Sequence, residues 1–480
     1  MLRLPRVAVG AVRPQDDSQY ITWALMRLLA MDGQQVQHFL SRACFPRFNG
    51  ACSATGNSSR HLDSWLMPPD LCREIFAHGC ANSDLAVVEG RFETDAECQT
   101  QSLPTSADDG RLAGGRLDDL CDWLDLPRLV VLDATRLEDC RLPERPQGAD
   151  GLLIDRVSNA QHLNRLQTTL ESLWGIPVLG GLDEMPAART ALEALPRGSV
   201  PSRDLCQALA GSLAKYTQPD RLLELAARRQ FPAVRPFLFN GTSGTTGAGT
   251  LRSCGCGSSE ISRLESERSE STGLTVAVAF DEAFNCYFPD TLDLLELSGA
   301  TVVDFSPLRD ESLPPGTDLV YFGCGHPERY AATLTENHCL TLAIRDHLCG
   351  GGRVYAEGGG LAYLCQYMET LDGRRTPMIG AIPAVARMNP QPAPPRPIEV
   401  TLARRTWFGV PGRRLRGYLN TNWLIEPTGD VEGCLAEAGH ECDLVGRYLA
   451  LGSRMHVNFA AQPEFLQNFV QPSAERLSAG

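Results

Sequence analysis

Short apolar runs alternate with amphipathic stretches along most of the chain. In the first half, apolar runs predict strands at 7–9, 84–88, 129–132, 151–154 and 177–179, and helical spacing covers 20–31 and 163–173. In the second half, strands are predicted at 275–279, 301–303, 318–322 and 353–356, and helices at 289–298 and 335–348. Because strands that alternate with helices form parallel sheets covered on both faces, the pattern predicts an α/β fold of two doubly wound domains.

One polar segment separates the two halves. Residues 240–272 begin with Asn-Gly-Thr-Ser-Gly-Thr-Thr-Gly-Ala-Gly and contain few apolar residues, which is typical of a flexible linker. We therefore expect a first domain at 1–239, a Gly/Ser-rich linker at 240–272 and a second domain at 273–480. A further polar and Gly-rich stretch at 96–116 predicts a long loop.

The composition narrows the class of protein. The 480 residues include 44 basic and 58 acidic side chains, for a net charge of −14, and 43% of them are hydrophobic. An acidic chain argues against nucleic acid as the main partner, because phosphate binding needs a basic face. No apolar run reaches the roughly 18 residues of a membrane-spanning helix, so we expect no membrane insertion. The N-terminus leads into a strand rather than into a signal peptide.

The basic and sulfur-containing residues add two constraints. Of the 44 basic residues only Lys215 is a lysine, and the others are arginine. Arginine does not replace a lysine whose compact ammonium must sit among phosphates, so a mechanism that requires lysine has one candidate. The 17 cysteines are odd in number and scattered, which favours reduced thiols and a cytoplasmic protein.

Five segments of the second half carry a family resemblance. They lie in the family's order at 276–290, 305–311, 321–328, 355–364 and 448–465. By these segments the second half resembles the glutamine amidotransferase domain of cobyrinic acid a,c-diamide synthases. The first half matches more weakly: segments 59–67, 84–90 and 151–157 resemble the family's RNLDxWM segment, its strand ending in VEG and its GVILNRV strand.

The resemblance implies two chemistries in two domains. The first domain would be a P-loop fold similar to dethiobiotin synthetase that binds ATP, magnesium and the corrinoid and phosphorylates a side-chain carboxylate. The second would hydrolyse glutamine with a cysteine–histidine pair and pass on ammonia, so that a corrinoid carboxylate is amidated during cobalamin biosynthesis. Family members often dimerise, so a homodimer or a protein partner is compatible with the resemblance.

The residue at the family's nucleophile position is a glycine. The family's turn has the sequence AECGGLMYL, whereas residues 356–364 here are Ala-Glu-Gly-Gly-Gly-Leu-Ala-Tyr-Leu, so that Glu357 precedes Gly358. Hydrolysis through a thioester needs a thiolate at this turn, and glycine has no side chain. His456 matches the first histidine of the family's HLHF segment, and Asn458 replaces the second. We therefore expect no conventional glutaminase activity.

Two other cysteines lie in segments that the resemblance places close to this turn. Cys324 lies in a segment that resembles the family's GGGYPE turn, and Cys365 lies on the helix predicted after Gly360. Cys324 is either a relocated nucleophile or a small side chain that fills the place of a glycine. Selective alkylation of Cys324 by iodoacetamide would favour the first alternative.

The phosphate loop is also incomplete. A Walker A loop uses glycines, a lysine and a hydroxyl to hold phosphates and magnesium. After the first strand, residues 10–18 are Gly-Ala-Val-Arg-Pro-Gln-Asp-Asp-Ser, without the lysine and most of the glycines. The segment 16–18 is better explained as the N-cap of the next helix. Arg13 and Ser18 remain the candidates for a nucleotide contact, and we expect no P-loop ATPase activity.

Two carboxylates are candidates for the remaining ligands. Glu89 matches the glutamate of the family's VEG strand, which the resemblance places near magnesium. Asp63 lies in the segment that resembles the corrinoid-side loop, so it is the candidate for substrate binding. Without a triphosphate, the alternative for Glu89 is a carboxylate hydrogen-bonded at the edge of the sheet.

Three hypotheses follow from these observations. The favoured one is a family member that has lost both catalytic centres, needs no cofactor and binds a corrinoid, another tetrapyrrole-like molecule or a protein partner. The second is an active amidotransferase that uses free ammonia and a non-standard ATP site. The third is a different activity built around His456, Glu357 and Cys324.

Overall fold

The computed structural model describes residues 4–13, 17–93, 114–137, 145–231, 234, 236–239, 273–429, 436–438, 441–443, 445–447 and 449–470. The chain divides into two compact units, the first comprising 1–42 and 46–258 and the second comprising 43–45 and 259–480. The predicted linker at 240–272 and most of the predicted loop at 96–116 lie outside the described residues.

The first unit contains seven strands and, among its described residues, eight α-helices. In chain order they are β1 (Arg6–Ala11), α1 (Gln19–Met31), β2 (Val36–Leu40), α2 (Gly50–Thr55), β3 (Arg60–His61), α3 (Pro69–Gly79), β4 (Leu85–Arg91), α4 (Leu117–Leu124), β5 (Arg128–Asp133), β6 (Gly151–Val157), α5 (Ala160–Trp174), β7 (Val178–Asp183), α6 (Pro186–Glu193), α7 (Arg203–Ala214) and α8 (Pro219–Ala226).

These strands form one parallel sheet in the order β3-β2-β4-β1-β5-β6-β7. The central strands are apolar on both sides; β1, for example, is buried at all six residues. Helix α1 packs against α7 and buries nine residues, eight of which belong to the hydrophobic core on one face of the sheet. A continuous apolar strand between helical layers is what a doubly wound sheet requires, and the carboxyl ends of these strands form the edge where ligands bind in such folds.

The second unit contains more strands than its apolar runs predict. Its elements are β8 (Thr275–Ala279), β9 (Phe284–Cys286), α9 (Pro289–Leu297), β10 (Thr301–Phe305), β11 (Thr317–Phe322), β12 (Cys324–Gly325), α10 (Ala331–Glu336), α11 (His338–Cys349), β13 (Arg353–Glu357), α12 (Gly359–Leu364), β14 (Cys365–Glu369), β15 (Arg375–Pro377), β16 (Ile382–Met388), β17 (Arg396–Leu402), β18 (Arg414–Leu419), β19 (Trp423–Pro427), β20 (Ala436–Ala438), β21 (Glu441–Asp443), β22 (Val445–Arg447), β23 (Ala450–Ser453), β24 (Met455–His456) and α13 (Pro463–Val470).

A six-stranded sheet in the order β10-β8-β11-β13-β23-β22 forms the centre of this unit. It is parallel except for the edge pair β22–β23. Two smaller sheets, β15-β14-β16-β19 and β21-β20-β17-β18-β24, and the antiparallel pair β12–β9 complete it. The predicted α/β class with two doubly wound parts is confirmed. The turn at Gly358 directly follows the carboxyl end of β13.

Two local predictions in the second unit were wrong. The helix predicted at 335–348 is two helices, because the Asn337 side chain caps the second one by accepting from the Leu340 N–H and donates to the carbonyls of Pro307 and Asp310. Cys365 does not lie on a helix: α12 ends at Leu364, and Cys365 has extended backbone angles (φ −65°, ψ 165°) as the first residue of β14.

Within the described residues, no helix combines the length and the apolar character needed to cross a membrane.

Candidate functional site

The turn after β13 has the backbone of a strand-to-helix elbow. Gly358 follows the last residue of β13 and precedes α12, with φ +50° and ψ −108°. This left-handed region is strained for residues with a side chain and open to glycine. The backbone N–H of Gly358 donates to the Ser453 carbonyl at 2.8 Å, and its carbonyl accepts from Ala362. The elbow is therefore held in place by β23 and α12 even though it carries no side chain.

A sulfur atom crowds the space in front of the elbow. A Cβ atom built on Gly358 would lie 2.8 Å from Cys324 Sγ, closer than real Cβ contacts, whereas Cys324 Cβ would be 3.7 Å away. Cys324 is 4% exposed. Burial, with Glu357 nearby, raises the pKa of its thiol well above the usual range. Reactive cysteines lie in electropositive, partly exposed surroundings, and the surroundings of Cys324 are the opposite.

The histidine next to this turn is buried and neutral. His456, in β24, is 3% exposed, and burial lowers its pKa to about 4. The Asn420 amide lies 2.9 Å from His456 Nε2. Because Asn420 Oδ1 accepts from the Asn422 N–H, its NH₂ group faces the imidazole, so Nε2 is an acceptor. That lone pair therefore faces the Asn420 amide.

Glu357 is a buried carboxylic acid rather than a carboxylate. It is 1% exposed, and burial raises its pKa to about 8. The Tyr321 hydroxyl donates to Oε1 at 3.2 Å, and the Val457 N–H donates to Oε2 at 3.4 Å. Hydrogen bonds to the carboxyl group compensate part of the desolvation cost and keep its pKa from rising further. Glu357 holds a proton at neutral pH.

Asn458, in place of the family's second histidine, has a structural role. Its Oδ1 accepts from the Ala460 N–H at 3.1 Å, so it caps the 3₁₀ turn Phe459–Ala461, and it is fully buried. The elbow region thus contains a neutral acid, a neutral imidazole with an occupied lone pair and a glycine. The arrangement can hold protons and donate hydrogen bonds, but no side chain of this set is positioned as an activated nucleophile.

In the first unit, the segment predicted to cap α1 is only partly as expected. Residues 14–16 lie outside the described residues, and half-buried Arg13 ends the described part of β1 and its turn. Ser18 precedes α1, yet its side chain makes no capping hydrogen bond. Instead Asp17 Oδ1 accepts from the Gln19 N–H at 2.9 Å, and the Ser18 hydroxyl donates to Glu89 Oε1 at 3.2 Å. The N-cap prediction was wrong for Ser18 because its hydroxyl is engaged by a carboxylate.

Both oxygens of Glu89 are used by protein donors. Glu89 lies in β4 and is 8% exposed. Its Oε1 accepts from Ser18, and its Oε2 lies 3.1 Å from His38 Nε2. In the described part of the chain, no cluster of three or more His, Cys, Asp or Glu side chains has the arrangement to hold a metal ion. Each oxygen of Glu89 thus has one protein partner, as in the alternative of a carboxylate hydrogen-bonded at the edge of the sheet.

Asp63 and Lys215 are engaged within the fold. Asp63 is fully buried, and its Oδ1 accepts from the N–H groups of Trp65 and Leu66 at 3.0 and 3.1 Å. Lys215 Nζ donates to Asp183 Oδ2 at 2.7 Å. Asp183 ends β7 at the edge of the sheet, whereas a phosphate loop would follow β1 in its centre. The single lysine is thus tied to a position away from the phosphate-loop strand.

Comparisons with known proteins agree with the fold. The profile described as the CobB/CobQ-like glutamine amidotransferase domain matches residues 275–418. The cobyrinate a,c-diamide synthase of Syntrophotalea carbinolica is 29% identical over 428 residues, covering 86% of this chain and 85% of that protein. The Salmonella typhimurium protein of the same name is 26% identical over 479 residues and covers 94% of each chain. Along most of its length the chain is therefore similar to cobyrinate a,c-diamide synthases.

A solved glutamine amidotransferase is 16% identical and covers 40% of this chain and 97% of that chain, with a TM-score of 0.32. A score at this level supports no conclusion about shared geometry. The similarity to cobyrinate a,c-diamide synthases is one of sequence, and it spans both units.

The sequence motifs indicate only part of this candidate site. The motifs located Gly358, Glu357, Cys324 and His456, and the structure brings these four residues to one edge of the second unit. They did not indicate Asn420, which lies between β18 and β19 in no recognisable motif and contacts the histidine. Asn420 is recognised as part of the site only from its contact with His456 in the structure.

Proposed function

We propose that this chain is a member of the cobyrinate a,c-diamide synthase family that has lost glutamine hydrolysis and phosphate-loop chemistry and acts by binding a corrinoid or other tetrapyrrole-like small molecule. The observation that carries the proposal is Gly358 at the elbow, with Cys324 Sγ in the volume that a nucleophile's Cβ would need. The cytoplasm as its compartment, and a homodimer or another protein partner, remain parts of the proposal.

The loss of glutamine hydrolysis follows from the chemistry of the thioester route. The reaction needs a thiolate and a base that takes its proton. Gly358 supplies no thiol, Cys324 is a buried thiol with a raised pKa, and His456 Nε2 accepts a hydrogen bond from Asn420. Removing the nucleophile of such a unit costs about 10⁶-fold in turnover, so a residual rate would not sustain amidation.

The residues of the first unit do not fit a magnesium–ATP group. Magnesium in such sites is held by one or two carboxylates together with the phosphates, and each oxygen of Glu89 already has a protein partner, Ser18 on Oε1 and His38 on Oε2. The lysine that would neutralise the β- and γ-phosphates has no counterpart near β1, since Lys215 pairs with Asp183. Binding without ATP-dependent activation is therefore the function that we propose.

Binding without turnover has a direct test. Purified protein is titrated with cobyrinic acid and followed by the visible absorbance of the corrinoid, with and without ATP and magnesium. We expect saturable binding whose dissociation constant is unchanged by ATP and magnesium. If no binding is detected up to millimolar corrinoid, the ligand part of the proposal is rejected and the protein-partner part is kept. A dissociation constant that falls when ATP is added would contradict the loss of the phosphate loop.

A further inference from the structure

A buried histidine of the first unit joins a serine to a carboxylate. His38 Nδ1, in β2, lies 2.8 Å from Ser59 Oγ, and Ser59 immediately precedes β3. His38 Nε2 lies 3.1 Å from Glu89 Oε2 in β4. The Ser18 hydroxyl completes the series by donating to Glu89 Oε1 at 3.2 Å. Strands β2 and β4, together with the residue before β3, thus hold an imidazole, a carboxylate and a hydroxyl in hydrogen-bond contact.

The contacts favour one tautomer of the imidazole. If Nδ1 alone carried the proton, the Nε2 lone pair would face the carboxylate oxygen of Glu89, and two acceptors repel. With the proton on Nε2, the ring donates to Glu89 and its Nδ1 lone pair accepts the Ser59 hydroxyl proton. An imidazolium would also satisfy Glu89 but would donate to Ser59 and leave it inactive, and the experiment below separates these two states.

Burial differs along the series in the way that a reactive hydroxyl requires. His38 is 2% exposed and Glu89 is 8% exposed, so both the imidazole and the carboxylate are shielded from water. Ser59 is half-buried, so solvent reaches its residue. A nucleophile within hydrogen-bond reach of a base, with that base oriented by a third group, is the geometric signature of nucleophilic catalysis.

We propose that Ser59 is an activated nucleophile, with His38 as its general base and Glu89 as the positioning residue, and that it reacts with carboxylic esters and related acyl or phosphonyl electrophiles. The proposal is independent of the proposed function, because it uses neither the elbow at Gly358 nor a nucleotide.

The reaction balances with water as the second substrate. Ser59 Oγ attacks the ester carbonyl carbon while its proton moves to His38 Nδ1. The bond from carbon to the alcohol oxygen breaks, and the alcohol leaves with the proton from Nδ1. Water then attacks the acyl-serine, again giving its proton to Nδ1, and the acid is released as Ser59 regains its hydroxyl proton. Glu89 keeps the ring oriented and compensates the transient imidazolium charge.

The test uses a fluorophosphonate probe on the full-length protein. Ser59 displaces fluoride from the probe, and peptide mapping by mass spectrometry on the wild-type chain locates the adduct without any variant. We expect one adduct at Ser59 and no adduct in Ser59→Ala. In His38→Ala the labelling rate should be lower by at least about 10²-fold. Ser83→Ala, a half-buried serine of the same unit outside this series, is the matched control and should label at the wild-type rate.

Turnover of p-nitrophenyl acetate tests the positioning residue. Glu89→Gln should lower kcat at least roughly tenfold with KM unchanged, since orientation of the base acts on the transition state. The proposal would be overturned if Ser59 of the wild-type protein formed no adduct. It would also be overturned if the adduct formed as fast in His38→Ala as in the wild type. Equal kcat in wild type and Glu89→Gln would remove Glu89 from it.

Discussion

Gly358→Ala is expected to destabilise the second unit by about 2–5 kcal/mol. The left-handed backbone at φ +50° costs a residue with a Cβ about 1–2 kcal/mol. The new Cβ would also lie 2.8 Å from Cys324 Sγ, and overpacking of this kind costs about 1–3 kcal/mol. In a unit of this size, each kcal/mol lowers the melting temperature by roughly 2–4 °C, so calorimetry of the full chain should resolve the shift.

A double-mutant cycle separates the two contributions. Cys324→Ala removes the sulfur and keeps a Cβ at 3.7 Å from the new one, an ordinary contact distance, so Cys324→Ala/Gly358→Ala should recover about 1–3 kcal/mol of coupling. Gly373→Ala is the matched control, because Gly373 has φ +78° and nothing within 4 Å of its missing Cβ. It should show the backbone cost alone. Equal destabilisation by Gly358→Ala and Gly373→Ala would mean that the sulfur does not crowd the elbow.

Glu357→Gln is expected to abolish a loss of stability that the wild-type protein shows as the pH rises. Burial raises the pKa of Glu357 from 4.5 to about 8. Between these two values the folded state holds a proton that the unfolded state has released, so the free energy of unfolding falls with rising pH. The full effect would be on the order of 5 kcal/mol.

His456 acts in the opposite direction over part of this window. Burial lowers its pKa from 6.5 to about 4, so the unfolded state binds the extra proton and stability rises with pH until about 6.5. The two slopes oppose each other at acidic pH. The contribution of Glu357 is therefore unmasked between about pH 6.5 and 8.

Urea unfolding at several pH values measures this difference. The free energy of unfolding of Glu357→Gln minus that of wild type should increase from pH 6.5 to 8, because the amide never ionises. Glu336→Gln, a substitution of an exposed glutamate in the same unit, is the control and should leave a difference that does not vary with pH. A difference for Glu357→Gln that is flat across this range would mean that the carboxyl group is ionised in the folded state.

The sequence predicted the parallel strands because they are continuous apolar runs, as in β1 and β11. It missed β2, where Gln37 and His38 interrupt the apolar pattern within Val36–Leu40. The polar side chains are tolerated there because Gln37 donates to the carbonyls of His38 and Ser58, and His38 contacts Ser59 and Glu89. Periodicity indicates burial by apolar residues and carries no signal for polar groups whose partners lie far along the chain.

The candidate site was predictable as motifs but not as geometry. The comparison of segments indicated that Gly358 stands at the nucleophile position. That Cys324 fills the space beside it depends on how two turns from different strands approach each other, and that Asn420 occupies the histidine's lone pair depends on a third element. These contacts join residues 34 and more positions apart, which no local pattern encodes.

Release of glutamate from L-glutamine by the purified wild-type chain, in the presence of ATP, magnesium and cobyrinic acid, is the most direct measurement of the central claim. We expect glutamate and ADP to stay at the level of a sample without protein. Glutamate or ADP formation that rises with protein concentration and is stimulated by the corrinoid would contradict the loss of both chemistries.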